Sequence, residues 1–141
     1  MSAASAVVIA ITFVWLGMVL AISFLEAPLK FRAPGVTLQI GLGIGRRVFR
    51  ALNSVEVLFA VAIIVCLTIG DRAVPVVVAL AVAFVALAVQ LIAVRPALTR
   101  RSDAVLAGQT GSRSRGHYVY VGLEILKAIA LTVSGVLLFA T

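Results

Sequence analysis

Charge is scarce in this sequence. Only 12% of the 141 residues are Asp, Glu, Lys or Arg, and just five are acidic. A soluble domain carries about 25% charged and roughly 45–50% apolar residues. Here the hydrophobic share is 63% and the mean hydropathy +1.22. That balance excludes a disordered chain and argues against a soluble domain. Cysteine is nearly missing too. A single Cys66 excludes an internal disulfide and any CxxC metal or redox pair. The one histidine, His117, excludes bis-His haem ligation. No Ser/His/Asp or Cys/His arrangement is recognisable. Catalysis would rest on His117 and the carboxylates alone, and the reading leans away from an enzyme.

What the chain has instead is long apolar stretches. Four run over residues 3–25, 48–69, 73–94 and 117–140. About 20 apolar residues suffice to cross roughly 30 Å of hydrocarbon. Backbone groups in lipid must pair within the segment, so each stretch is expected to be a helix. A barrel strand would alternate apolar and polar residues, and the run from Val76 to Val82 does not. The first stretch is read as a retained helix, because residues 1–10 lack Lys and Arg and its apolar run exceeds a signal peptide's. The expected fold is an all-α integral membrane protein, a single domain of four transmembrane helices.

The net charge of +7 could point to nucleic acid. The position of the basic residues argues otherwise. Lys30, Arg32, Arg46, Arg47 and Arg50 belong to the connection between the first two stretches. Arg95, Arg100, Arg101, Arg113 and Arg115 belong to that between the third and fourth. The positive-inside rule puts both connections in the cytoplasm, giving N-out and C-out in the cytoplasmic membrane. The partners expected are the bilayer and anionic phospholipid, with no nucleic acid. Gly70, Asp71 and Pro75 predict a tight turn that makes stretches two and three an antiparallel pair. The Ser-, Gly- and Arg-rich connection over residues 99–116 is expected to be mobile.

Ionisable residues inside the stretches are few and expensive, at roughly 2.5–3.5 kcal/mol each on the insertion scale. His117, Tyr120, Glu124 and Lys127 follow steps of three and four, so they share one helix face. Arg46, Phe49, Asn53 and Glu56 do the same in stretch two. Both runs start from the basic side, so Glu56, Glu124 and Lys127 fall at similar depth. The expected site is a buried polar cluster of Asn53, Glu56, His117, Tyr120, Glu124 and Lys127, with Lys127 paired to Glu124 and Glu56. Such a cluster serves either as structural glue or as a binding site for an ion or polar group. Glu26, Glu56, His117 and Glu124 are metal-ligand types, but no Glu-x-x-His pair is present, and neither metal nor cofactor is expected.

Gly41, Gly43 and Gly45 precede Arg46, Arg47 and Arg50. A glycine-rich turn feeding a helix N-terminus is a candidate anion site, here for a phospholipid headgroup. The alternative is glycine packing beside topology-setting arginines. No strand precedes the glycines and the P-loop Lys is missing, so a nucleotide site is excluded. Trp15 is expected to pack inside the bundle, Tyr118 and Tyr120 at a boundary, and Cys66 as a small packing residue. Gly17 with Ala21, and Ala79 with Ala83, are candidates for close helix approach.

Several of these strings resemble one family. Trp15-Leu16-Gly17 and Ala27-Pro28 with Phe31 resemble the end of the first helix in small four-helix membrane proteins resembling transmembrane protein 205. Gly45-Arg46-Arg47-Val48-Phe49 is similar to the start of that family's second helix. Arg95-Pro96-Ala97-Leu98 with Arg101 is similar to its exit from the third, and His117 to the His opening its fourth. The surroundings of Glu26 and Lys30 and the Glu124/Lys127 pair have no matching feature. The resemblance implies the four-helix fold and carries no activity. Two functions follow from the residues. One is binding or transport of an ion, a small polar solute or a lipid headgroup. The other is a non-catalytic accessory or scaffold subunit of a larger membrane complex. Four helices enclose little space, so a homo-oligomer or a partner is expected.

Overall fold

The computed structural model describes residues 1–108 and 115–140. Arg113 and the centre of the connection expected to be mobile lie outside the described residues. Among the described residues the chain forms four long helices and no strand. We label them α1 (Ala3–Lys30), α2 (Leu38–Leu67), α3 (Val74–Leu106) and α4 (Arg115–Ala140). All four are long and apolar enough to cross a membrane.

The helices outrun the apolar stretches at one end. α2 begins ten residues before residue 48, and α3 runs twelve residues past residue 94. At about 1.5 Å rise per residue, the 33 residues of α3 reach well beyond the hydrocarbon thickness. Lys30, Arg46, Arg47, Arg50, Arg95, Arg100 and Arg101 therefore sit on helix ends rather than in loops. Lys and Arg are good helix formers, and the helix carries them through the headgroup layer. Thr37 caps α2 by accepting from the Ile40 amide at 3.1 Å, and Ser2 caps α1 through the Ser5 amide. Gly35 turns the short link between α1 and α2 at a positive φ.

Proline leaves a mark on α1 and α3. Each contains a wider π-helical segment, Leu20–Glu26 in α1 and Gln90–Val94 in α3. Pro28 and Pro96 follow these segments by two residues. A proline inside a helix has no N–H to donate and clashes with the carbonyl four residues back. Widening the preceding turn removes that clash without breaking the helix.

The packing order differs from the sequence order. α4 is central: it lies against α3 along most of its length and against α1. α1 in turn packs on α2. α2 and α3 are antiparallel through the short turn at residues 68–73, as expected, yet they pack little along their length. They meet mainly near the basic end, through Arg95–Leu106. Asp103 and Arg46 bridge them there at 2.6 Å. The start of α1, the end of α4 and the 68–73 turn gather at the opposite end, where Arg72 donates to the Ser5 hydroxyl and Phe13 meets Phe139. The dry core toward that end holds Val8, Ile63, Leu80 and Leu131.

Close approach is set by glycines other than Gly17, where an added Cβ would meet nothing. At buried Gly41 it would lie 2.2 Å from the Phe31 ring. Gly41→Ala is expected to cost about 1–3 kcal/mol by overpacking. Phe31→Ala in the same chain should restore most of that, as read from thermal midpoints in detergent.

Candidate functional site

The π-helical segments place polar side chains that periodicity alone does not. Gln90 opens the α3 segment and Ser23 lies within that of α1. Both point to Glu124 on α4. Ser23 donates its hydroxyl to Glu124 Oε2, and Gln90 Nε2 donates to Oε1 at 2.7 Å. Lys127, one turn further along α4, sits 2.5 Å from Glu124 Oε1 and 2.5 Å from Glu56 Oε2 of α2. Its third proton reaches Gln90 Oε1 at 2.8 Å. Trp15 Nε1 of α1 donates to Glu56 Oε2 at 2.8 Å. All four helices thus contribute to one network.

The network is dry. Glu56, Gln90, Trp15 and Lys127 are 0% exposed and Glu124 only 1%. Lys127 has spent its three donors. Glu124 is bonded at both oxygens. Glu56 is not: Oε1 is buried with no hydrogen-bond partner. The cluster also fails to balance in charge. Two carboxylates face one ammonium, which leaves one negative charge when all are ionised. A buried unpaired charge costs several kcal/mol, and protonation or a bound cation removes it.

A vestibule of about 220 Å³ leads to the cluster from the basic end. Glu124 and Ser23 are at its inner wall, and Lys30, Arg46, Arg95 and His117 line it further out. Tyr120 also lines it, and its buried hydroxyl has no partner. The Tyr120 ring packs edge-on against Phe49 at 5.7 Å, with the Arg95 guanidinium over both rings. His117 meets the Tyr118 ring edge-on at 5.8 Å. Toward the opposite end the apolar core closes over the cluster.

The structure therefore brings Glu56, Glu124 and Lys127 together and sets Tyr120 and His117 beside the vestibule. Asn53 stands elsewhere. It is buried, lines an adjoining groove between α2 and α3, and leaves Oδ1 without a partner. The glycine-rich anion turn is corrected. Gly41, Gly43 and Gly45 are inside the helix that begins at Leu38, so their amides bond along it and cradle nothing. Gly41 and Gly45 face Phe31 and Lys30, and Gly43 lines the groove. Arg46, Arg47 and Arg50 line that groove from α2. Tyr120 is in the interior, whereas Tyr118 is exposed.

Sequence reasoning missed Gln90, Trp15 and Ser23 as members of the network. Gln90 carried a signal, as the one strongly polar residue of the third apolar stretch. Among the described residues no group of three His, Cys, Asp or Glu side chains is placed to hold a metal ion. Comparisons with known protein families, with characterised proteins and with solved structures give no match.

Removing Lys127 leaves two buried carboxylates facing each other. Lys127→Met is expected to cost about 3–5 kcal/mol. Adding Glu56→Gln and Glu124→Gln to that variant should recover most of the loss in detergent unfolding. A triple variant no more stable than Lys127→Met would show that the ion pairs are not what couples these helices.

Proposed function

We propose that this protein is a small membrane carrier or channel whose Glu56–Lys127–Glu124 cluster takes up a proton or a small monovalent cation from the basic end. The observation that carries this is the charge imbalance in a dry core, with Glu56 Oε1 left unpaired. Structural glue alone would be served by one carboxylate per ammonium. Ionisable groups inside membrane helices mark ion and proton pathways when they face a cavity, and Glu124 faces one. The resemblance to proteins like transmembrane protein 205 carries no activity, so the reading rests on the cluster itself.

In this reading the protein lies in the cytoplasmic membrane, N-out and C-out. The basic ends of the helices, and with them the vestibule, face the cytoplasm. The distribution of Lys and Arg supports this side. Labelling tests it. In a Cys66→Ala background, an impermeant maleimide should modify Ser2→Cys in intact cells. It should modify Ser102→Cys only after permeabilisation. The reverse pattern overturns the orientation.

Transport is read in proteoliposomes under an imposed diffusion potential, with an internal pH dye. The wild type should pass protons, or sodium or potassium, above empty vesicles. Glu56→Gln should lower that flux at least about tenfold, a barrier change of roughly 1.4 kcal/mol. Uptake of radiolabelled sodium and rubidium beside the pH dye separates the two ions: a proton pathway moves only the dye signal, and a cation pathway moves the label. No flux, or flux that is indifferent to Glu56→Gln, leaves the cluster as glue within an accessory subunit.

A further inference from the structure

The groove between α2 and α3 adjoins the vestibule, with Arg46 and Arg95 in the wall they share, but it opens away from Glu124 and the charged cluster. It holds about 610 Å³ at the basic end. Four arginines line it: Arg46, Arg47 and Arg50 from α2 and Arg95 from α3. Only Arg46 has a carboxylate, Asp103, at 2.6 Å. Among the described residues Arg47 and Arg50 pair with no acidic side chain, and Arg95 is repelled by nearby Arg46 and Arg50 and attracted by Glu124. Four guanidiniums around one cavity outnumber the carboxylates near them, Asp103 and Glu124, and this positive excess calls for an anion. A second observation points into the same space. Asn53 is 6% exposed, lines the groove, and its buried amide oxygen is an unpartnered acceptor, suited to a hydroxyl donor such as a headgroup glycerol rather than to the phosphate itself.

The lining changes character along the groove. Arginines and the hydroxyl-bearing Thr99 and Ser102 lie toward the helix ends, while Val57 and Leu91 lie deeper in the span. α2 and α3 make their main contact only near the basic end, and the α2 surface beyond it exposes Val57, Leu58 and Val61. The groove is therefore continuous with the hydrocarbon at its apolar end and with the headgroup layer at its basic end. A free phosphate would use only the first half of this surface. We infer that the groove binds one anionic phospholipid, its phosphate held by Arg47, Arg50 and Arg95 and an acyl chain lying along Val57 and Leu91.

The test uses the full chain purified in neutral detergent. Native mass spectrometry counts bound lipid during titration with phosphatidylglycerol or phosphatidylcholine. One phosphatidylglycerol should bind, with phosphatidylcholine clearly weaker. Arg47→Ala with Arg50→Ala should weaken phosphatidylglycerol at least about tenfold, since each basic residue near the surface adds a comparable share of the attraction. Both arginines are exposed, so the variant is expected to melt like the wild type. Val57→Trp fills the apolar half at unchanged charge and should also weaken the lipid. Inorganic phosphate and glycerol phosphate should not displace it. Phosphatidylglycerol binding unchanged in either variant, or equal binding of phosphatidylcholine, overturns the inference. Displacement by inorganic phosphate alone overturns it as well, because the occupant is then a soluble anion.

Discussion

Lys127 donates to Glu56 on α2, to Gln90 on α3 and to Glu124 on its own helix, and Glu56 in turn accepts from Trp15 on α1. Each of these charges is costly inside an apolar span when the helix stands alone. The cost falls only when all four helices are in register, because no pair of them supplies the whole donor and acceptor set. Lipid gives helices no hydrophobic drive to associate. Here the polar centre supplies that drive and also fixes which faces meet. The rest of the core, from Leu80 to Leu131, is apolar apart from Thr12 and Ser134, whose hydroxyls bond within their own helices, so it would tolerate many registers.

The prolines are part of the same design. Pro28 and Pro96 lie outside the network, yet the turns they widen hold Ser23 and Gln90 against Glu124. A regular helix through these segments would direct those side chains differently. Backbone geometry near the headgroup layer thus controls hydrogen bonding deeper in the span. It also explains why Glu124 is fully satisfied while Glu56, on the regular helix α2, keeps one oxygen unpaired.

Much of this was legible in the residues. Four spans followed from the placement of charge, and the approach of Glu56, Glu124 and Lys127 followed from steps of three and four. Those arguments work because each concerns a regular helix and a residue too costly to face lipid. Other features were illegible for physical reasons. The helices reach beyond the apolar stretches at the basic end, since Arg and Lys extend a helix as readily as they flank one. The glycine turn failed because three spaced glycines do not stop a helix that packs tightly, as Gly41 does on Phe31. Trp15 was expected in the interior, but an indole's partner depends on which helix lies opposite. Asn53 shared a face with Glu56, yet three residues of rise carried it into the groove instead.

The two widened turns have a geometric corollary. A π-helical turn accommodates one more residue than a regular turn, at about 100° of rotation per residue. Positions on either side of Leu20–Glu26 and Gln90–Val94 therefore belong to two wheels offset by about that angle. A single helical wheel drawn through α1 or α3 mixes lipid-facing and interior residues. Homologous chains without the prolines would align with these two helices only after a one-residue gap in each. The position of that gap would mark, in sequence alone, where such a bundle turns a polar side chain inward.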